Sequence, residues 1–228
     1  MVYVTGDMHG DLTRLSPAAL RPLKKGDTLL VCGDFGFVWD GSPAEQKRLD
    51  KIGRRPYTVA FLDGRHENFD LLARYPVTEW HGGRAQVISG NLVHLLRGEI
   101  YELEGESYFV FGGGESEDRE FRIPGVSWWP QETPTEEELQ RALANLQARD
   151  NRVDYVLTHV PTLTAAARLN PRLAVDGVSL FLGGIEQTVS CKRWFFGSLH
   201  RDQVISEKRR AVFEQVVSVA DTGLAKRR

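Results

Sequence analysis

The sequence predicts an α/β protein in which two packed sheets are flanked by helices, and three patterns carry that expectation. Short apolar runs alternate with helix-like segments through most of the chain, the signature of strand–helix units. Between Gln86 and Phe111 the pattern changes to short alternating segments broken around Gly90-Asn91, Arg97-Gly98 and Glu104-Gly105, which predicts an antiparallel meander. Five apolar runs end in Asp or His, at the sheet edge where open α/β folds bind ligands.

The elements follow in order. Val2-Tyr3-Val4 opens the chain as a strand, and Leu12 to Leu23 reads as the helix after it. Thr28 to Cys32 is a buried strand, followed by a helix over Pro43 to Ile52, with Ser42 as cap and Pro43 at the first helical position. Tyr57 to Leu62 is the third strand, with a short helix over Glu67 to Arg74. After the meander, Thr135-Glu136-Glu137-Glu138 forms a capping box with acids in the first turn, and Leu139, Leu143 and Leu146 supply an apolar face. Val153 to Leu157 and Trp194 to Phe196 are strands, Arg168 to Gly184 between them is part helix, and Ala211 to Val219 alternates as a final strand. Arg209-Arg210 and the Lys226-Arg227-Arg228 tail read as solvated charge.

Chemistry is concentrated at the strand ends. The first strand runs into Asp7-Met8-His9-Gly10, the second into Gly33-Asp34, and the third into Asp63-Gly64-Arg65-His66-Glu67. The last two central strands run into His159 and into Gly197-Ser198-Leu199-His200. One Asp at a strand end is an ordinary cap or turn former. Five successive ends, each with a metal-competent side chain, point to one shared site, and mixed carboxylate and imidazole donors suit Mn, Fe or Zn.

In order and spacing, from Val2 to Asp202, these blocks resemble the calcineurin-type metallophosphoesterases, whose signature is Asp-x-His, Gly-Asp, Gly-Asn-His-Glu or -Asp, a lone His, and Gly-His-x-His. Trp80-His81-Gly82-Gly83, Phe111-Gly112-Gly113-Gly114 and Trp128-Trp129-Pro130 resemble a small bacterial and phage branch of that family. The resemblance implies a four-layer αββα sandwich over a single domain, 1–228. It implies hydrolysis of a phosphomonoester or phosphodiester by a metal-activated water, with His66 as general acid. It also implies that Asp7, His9, Asp34 and His200 hold one divalent ion tightly.

Two positions depart from the family, and both belong to its second metal: Arg65 stands for Asn, and Ser198 for the first His of Gly-His-x-His. Only the bridging Asp34 and His159 remain there, so the second site is expected to be weak or replaced. In one reading Arg65 takes the ion's place, pairing with Asp34 or gripping the substrate phosphate. In the other it points to solvent at a decayed site, and the protein is a weakly active or inactive pseudoenzyme that binds a phosphorylated ligand or partner. Arg119 and Arg122, after the glycine-rich turn, are further candidates to bind substrate. Trp128 and Trp129 are candidates for core packing or for a wall of the cleft, Glu67 for a cap or an orienting group, and His81 and His94 for structural or exposed roles.

Composition narrows the partners. A net charge of −2, from 29 basic and 31 acidic residues, supplies no field for nucleic acid or an anionic membrane. No apolar run approaches the ~20 residues of a membrane helix, and the chain starts in a strand without a leader pattern. Two cysteines, Cys32 and Cys191, offer neither a zinc clip nor a disulfide scaffold. The expectation is a cytoplasmic enzyme acting on a phosphorylated small molecule or phosphoprotein.

Overall fold

The computed structural model describes residues 1–170 and 175–221, so the Lys226-Arg227-Arg228 tail and part of the Arg168–Gly184 segment lie outside the described residues. The strands in chain order are β1 Val2–Thr5, β2 Thr28–Cys32, β3 Thr58–Leu62, β4 Val77–Trp80, β5 Gly83–Ser89, β6 Leu92–Leu95, β7 Glu99–Leu103 and β8 Glu106–Phe111. They continue as β9 Tyr155–Thr158, β10 Arg193–Phe196, β11 Gln203–Val204, β12 Arg209–Ala211 and β13 Val217–Ser218. The helices are α1 Pro43–Gly53, α2 Phe69–Leu72, α3 Glu136–Gln147, α4 Leu163–Leu169 and α5 Gly177–Thr188.

Two mixed sheets result, ordered β13-β1-β2-β3-β6-β5-β4 and β11-β12-β10-β9-β8-β7. The centre of each is parallel: β1, β2, β3 and β6 in the first, β8, β9, β10 and β12 in the second. The near-continuous apolar runs follow from burial on both faces. In β2, Leu30 and Cys32 face the other sheet, while Leu29 and Val31 face the layer of α1. In β10, Phe195 faces inward and Trp194 and Phe196 face the layer of α3, α4 and α5. Three apolar layers separate four layers of structure, the αββα sandwich.

Several elements differ from expectation for identifiable reasons. Leu12 to Leu23 is not a helix: only a 3₁₀ turn forms over Leu12–Leu15, because Pro17 has no N–H to extend it and Ser16 is extended at ψ 155°. The meander is split. Strands β5 and β6 pair in the first sheet, β7 and β8 pair in the second, and the chain crosses between the sheets at Arg97-Gly98. The final strand is broken because the Asp202 carboxylate accepts the N–H groups of Phe213, Glu214 and Gln215, pulling them into a loop between β12 and β13. The box at Thr135 forms as expected, but Ala142 and Leu146 are the buried residues of α3 and Leu143 is exposed. No helix among the described residues is long and apolar enough to cross a membrane.

Candidate metal centre and active site

The loops after β1, β2, β3, β9 and β10 meet at one edge, where the parallel strands of both sheets end. The first two loops are tied together, since Met8 and His9 both donate their backbone N–H to the Asp34 carbonyl, at 2.9 and 2.8 Å. His9, Asp34, Ser198 and His200 all hold left-handed backbone, with φ between 44° and 62°. Such conformations are uncommon for non-glycine residues and cluster at functional sites. At Gly64 a Cβ would come 2.0 Å from Asp34 Oδ1, so this neighbour of Arg65 must lack a side chain for the carboxylate to seat.

Two groups of donors share Asp7. Asp7, His9 and His200 form one, and Asp7, Asp34 and His159 the other, each with its donor atoms within 4.8 Å of one another. In the first, His9 Nε2 lies 2.9 Å from His200 Nε2, and His200 Nε2 lies 3.2 Å from Asp7 Oδ2. Asp34 Oδ2 approaches that group at 3.8 Å from His9 Nε2, while its Oδ1 lies 3.6 Å from His159 Nε2. Ligands ~2.0–2.2 Å from a common ion lie roughly 3–4 Å from one another, so these spacings fit a transition-metal ion. Asp34 is therefore placed between the groups, and the second contains three donors rather than the two expected from sequence.

His159 supplies the most direct evidence of fit. It is wholly buried, and its Nδ1 faces the Cys32 carbonyl at 3.1 Å, which assigns the ring hydrogen to Nδ1. Its Nε2 then presents a bare lone pair toward a carboxylate oxygen and has no hydrogen-bond partner. Two acceptors aimed at one another without a proton between them are unfavourable in a buried site unless a cation lies between.

Backbone donors hold the carboxylates. Asp34 Oδ1 accepts from the N–H of Arg65 at 2.6 Å and of His66 at 2.8 Å, and Asp7 Oδ1 accepts from the N–H of Ser198 at 2.9 Å. Burial pushes Asp34 upward, but wherever the His159 and His66 rings are protonated their charge, with that N–H donor, outweighs it and lowers the carboxyl to about 2. His200 is shifted upward by its hydrogen bond to Asp7. Glu67 is fully buried, which raises its pKa well above the ordinary range, and it accepts from the N–H groups of Phe35 and Gly36. It orients the Asp34 loop, while Asn68 provides the cap of α2.

The arginines are arranged differently from the sequence expectation. The Arg65 guanidinium forms no ion pair with Asp34, and Arg65 hydrogen-bonds that carboxylate through its backbone N–H alone. Its stem passes Gly114, Nη1 donates toward the Glu115 carbonyl at 3.4 Å, and its Nε is buried without a partner. Arg65 and Ser198 line one cavity of about 400 Å³ together with the exposed Arg119. Arg122 has another partner: its Nη1 lies 3.1 Å from His66 Nδ1 and its Nε donates to Asp118 Oδ1 at 2.7 Å. A guanidinium only donates, so His66 Nδ1 accepts and the hydrogen of the neutral ring sits on Nε2, which is 4.0 Å from Asp34 Oδ2. Burial, reinforced by Arg122, lowers the His66 pKa.

Other residues at the site were not singled out by sequence. Phe213 stacks on the His200 ring at 4.7 Å and 10°, and Arg14 lies over Phe213 while donating to the Asp7 carbonyl at 2.6 Å. A basic residue seven positions after Asp7 was the available signal, but it lay in a segment read as helix. Trp129 is buried, with Nε1 donating to Asp70 at 2.8 Å, and Trp39 lines the cleft in its place. His94 is buried against Gln86, and His81 is exposed.

No curated protein matches the chain. Among solved structures, one from Staphylococcus aureus described as a 5′-nucleotidase in complex with α-ketoglutarate aligns at TM-score 0.47 and 14% identity. The alignment covers 93% of this chain and 48% of that one, so the chain spans about half the length of that protein. A family model described as calcineurin-like phosphoesterase matches residues 1–188. The chain belongs to the calcineurin-like phosphoesterase family.

Proposed function

We propose that the chain is a metal-dependent phosphoesterase whose reaction takes place where the two donor groups meet. The partnerless Nε2 of buried His159, facing Asp34, is the observation that carries this reading. Asp7, His9, Asp34 and His200 would hold a first ion, and Asp34 and His159, with Asp7, a second. When bound, a divalent ion supplies Lewis-acid charge for the phosphoryl oxygens and acidifies the attacking water. Asp34, fixed by two N–H groups, remains ionised without rearrangement. His66 directs its Nε2–H at the departing oxygen, and Arg122 keeps the ring in that tautomer. Full proton transfer proceeds from the imidazolium, whose Nδ1–H displaces the Arg122 contact and which returns to the neutral ring. Arg65 is left with donors facing the cavity beside Ser198, which suits a phosphoryl oxygen better than Asp34.

His66→Ala is expected to lower kcat by roughly 10²–10⁴-fold on alkyl phosphates and by less on aryl phosphates, whose leaving oxygens need little protonation. Arg122→Met should reproduce the same leaving-group dependence at smaller amplitude. Equal losses on both ester types would assign His66 another role.

Wild-type protein should retain fewer than two tightly bound ions, because Ser198 offers a poor ligand at the second site and the Arg65 guanidinium lines the cavity beside it. Metal analysis after dialysis against manganese or zinc checks this, and Arg65→Asn with Ser198→His should raise the stoichiometry towards two. If Arg65 grips substrate, Arg65→Ala loses activity. If the site has decayed to ligand binding alone, wild type is nearly inactive and the double substitution gains activity. Two full equivalents in wild type would refute both versions.

A further inference from the structure

A cavity of about 510 Å³ opens beside the candidate centre, with His9, His66, Trp39, Asp40 and Arg48 in its lining. Resting on the phosphoesterase reading, we infer that this cavity is the leaving-group pocket and that it receives a nucleobase, so that the substrate is a nucleoside phosphate.

Trp39 is built to stay in place. Its backbone N–H donates to Glu45 Oε2 at 2.8 Å, and its carbonyl accepts from Asn68 Nδ2 at 2.7 Å. Its ring packs edge-on against Trp129 at 5.5 Å, and Trp129 is itself held by Asp70. Glu45, almost wholly buried, gathers the N–H groups of Trp39, Asp40 and Gly41 and so fixes the loop. An indole held this rigidly loses little freedom when a flat ring stacks on it.

The polar lining selects among flat rings. Arg48 is half-buried and has no hydrogen bond or ion pair among the described residues, leaving its donors available. Asp40 is exposed and accepts from the Ser42 N–H at 2.7 Å, and its carboxylate lone pairs beyond that bond add acceptors at the rim. A nucleobase presents a π face together with donors and acceptors on its edge, matching this set, and the volume lies within the ~300–1,000 Å³ usual for small-molecule sites. His66, expected to serve the departing oxygen, borders the same cavity, which places the base on the leaving-group side.

Adenosine 5′-monophosphate and ribose 5-phosphate share the same primary alcohol leaving group and differ only in the base. With manganese present, wild-type kcat/KM should favour the nucleotide by roughly 10–100-fold, the range of one base–aromatic stack. Trp39→Ala should bring that ratio towards one, and Trp39→Phe should keep most of it. Arg48→Met should lower the preference for the nucleotide over benzyl phosphate, which carries a ring without a polar edge. Adenosine, titrated calorimetrically without any phosphate, should bind wild type and not Trp39→Ala. Equal turnover of nucleotide and ribose phosphate, or undiminished adenosine binding by Trp39→Ala, overturns the pocket assignment and leaves the phosphoesterase reading standing. Adenosine binding without hydrolysis of any phosphoester overturns that reading and supports the pocket.

Discussion

Asp34→Asn should leave a folded protein that no longer retains metal and whose phosphoester turnover falls by about 10³-fold or more. The expectation follows from the carboxylate's two faces. Oδ1 accepts two backbone N–H groups, and an amide oxygen can still do so. Oδ2 faces His9, and there the substitution presents N–H donors where a cation needs a lone pair. The loops therefore survive while the site loses the donor placed between both groups, along with the several kcal/mol of transition-state stabilisation that a bound ion supplies. Metal analysis and turnover, with circular dichroism as the control for folding, test it. Unchanged metal content would remove Asp34 from the site.

The largest stability effect is expected behind the site. Asp63 and Arg97 are both buried, and Arg97 donates to Asp63 Oδ2 from Nε at 2.8 Å and from Nη2 at 2.5 Å. Arg97 also donates to the carbonyls of Gln131 and Glu132, fastening the crossing between the sheets to the segment before α3. Arg97→Met removes the partner and strands a buried carboxylate, which typically costs about 3–5 kcal/mol. In a chain of this size that corresponds to a fall in Tm of roughly 6–20 °C. Burial pushes Asp63 upward, but Arg97 and then His94 outweigh it and hold the carboxyl at about 2, below its unfolded value near ~3.9. Its stabilising contribution is thus fully present above about pH 4 and is lost as pH falls towards 2. Denaturant titrations at several pH values should show that acid limb in wild type and a weaker one in Arg97→Met. A variant as stable as wild type would show that the pair makes no net contribution.

Much of this architecture was legible because central parallel strands are buried on both faces, so β1, β2, β3, β9 and β10 stand out as apolar runs with their donors just beyond. The capping box at Thr135 was legible because its hydrogen bonds are local. What escaped depends on contacts between distant segments. Gln86 to Phe111 has the pattern of one meander, and nothing local reports that β6 takes β3 as a neighbour while β7 joins the other sheet. Asp202 breaks the expected final strand from more than ten residues away. Arg122 reads as a surface cation until its loop folds back onto His66. The choice between Trp39 and Trp129 depends on which indole the Asp70 carboxylate captures.

The split of the donors between the sheets also governs how the centre can arise. Asp7, His9 and Asp34 follow strands of the first sheet, whereas His159 and His200 follow strands of the second. Neither sheet alone carries a complete set, and the first and last donors are 193 positions apart in the chain. A cation held there would act as a clasp closing a loop that spans most of the polypeptide. Its binding free energy would then be coupled to docking of the two halves, and partly assembled chains would have little affinity for it. Ion capture would accordingly mark the last stage of assembly rather than nucleate the first.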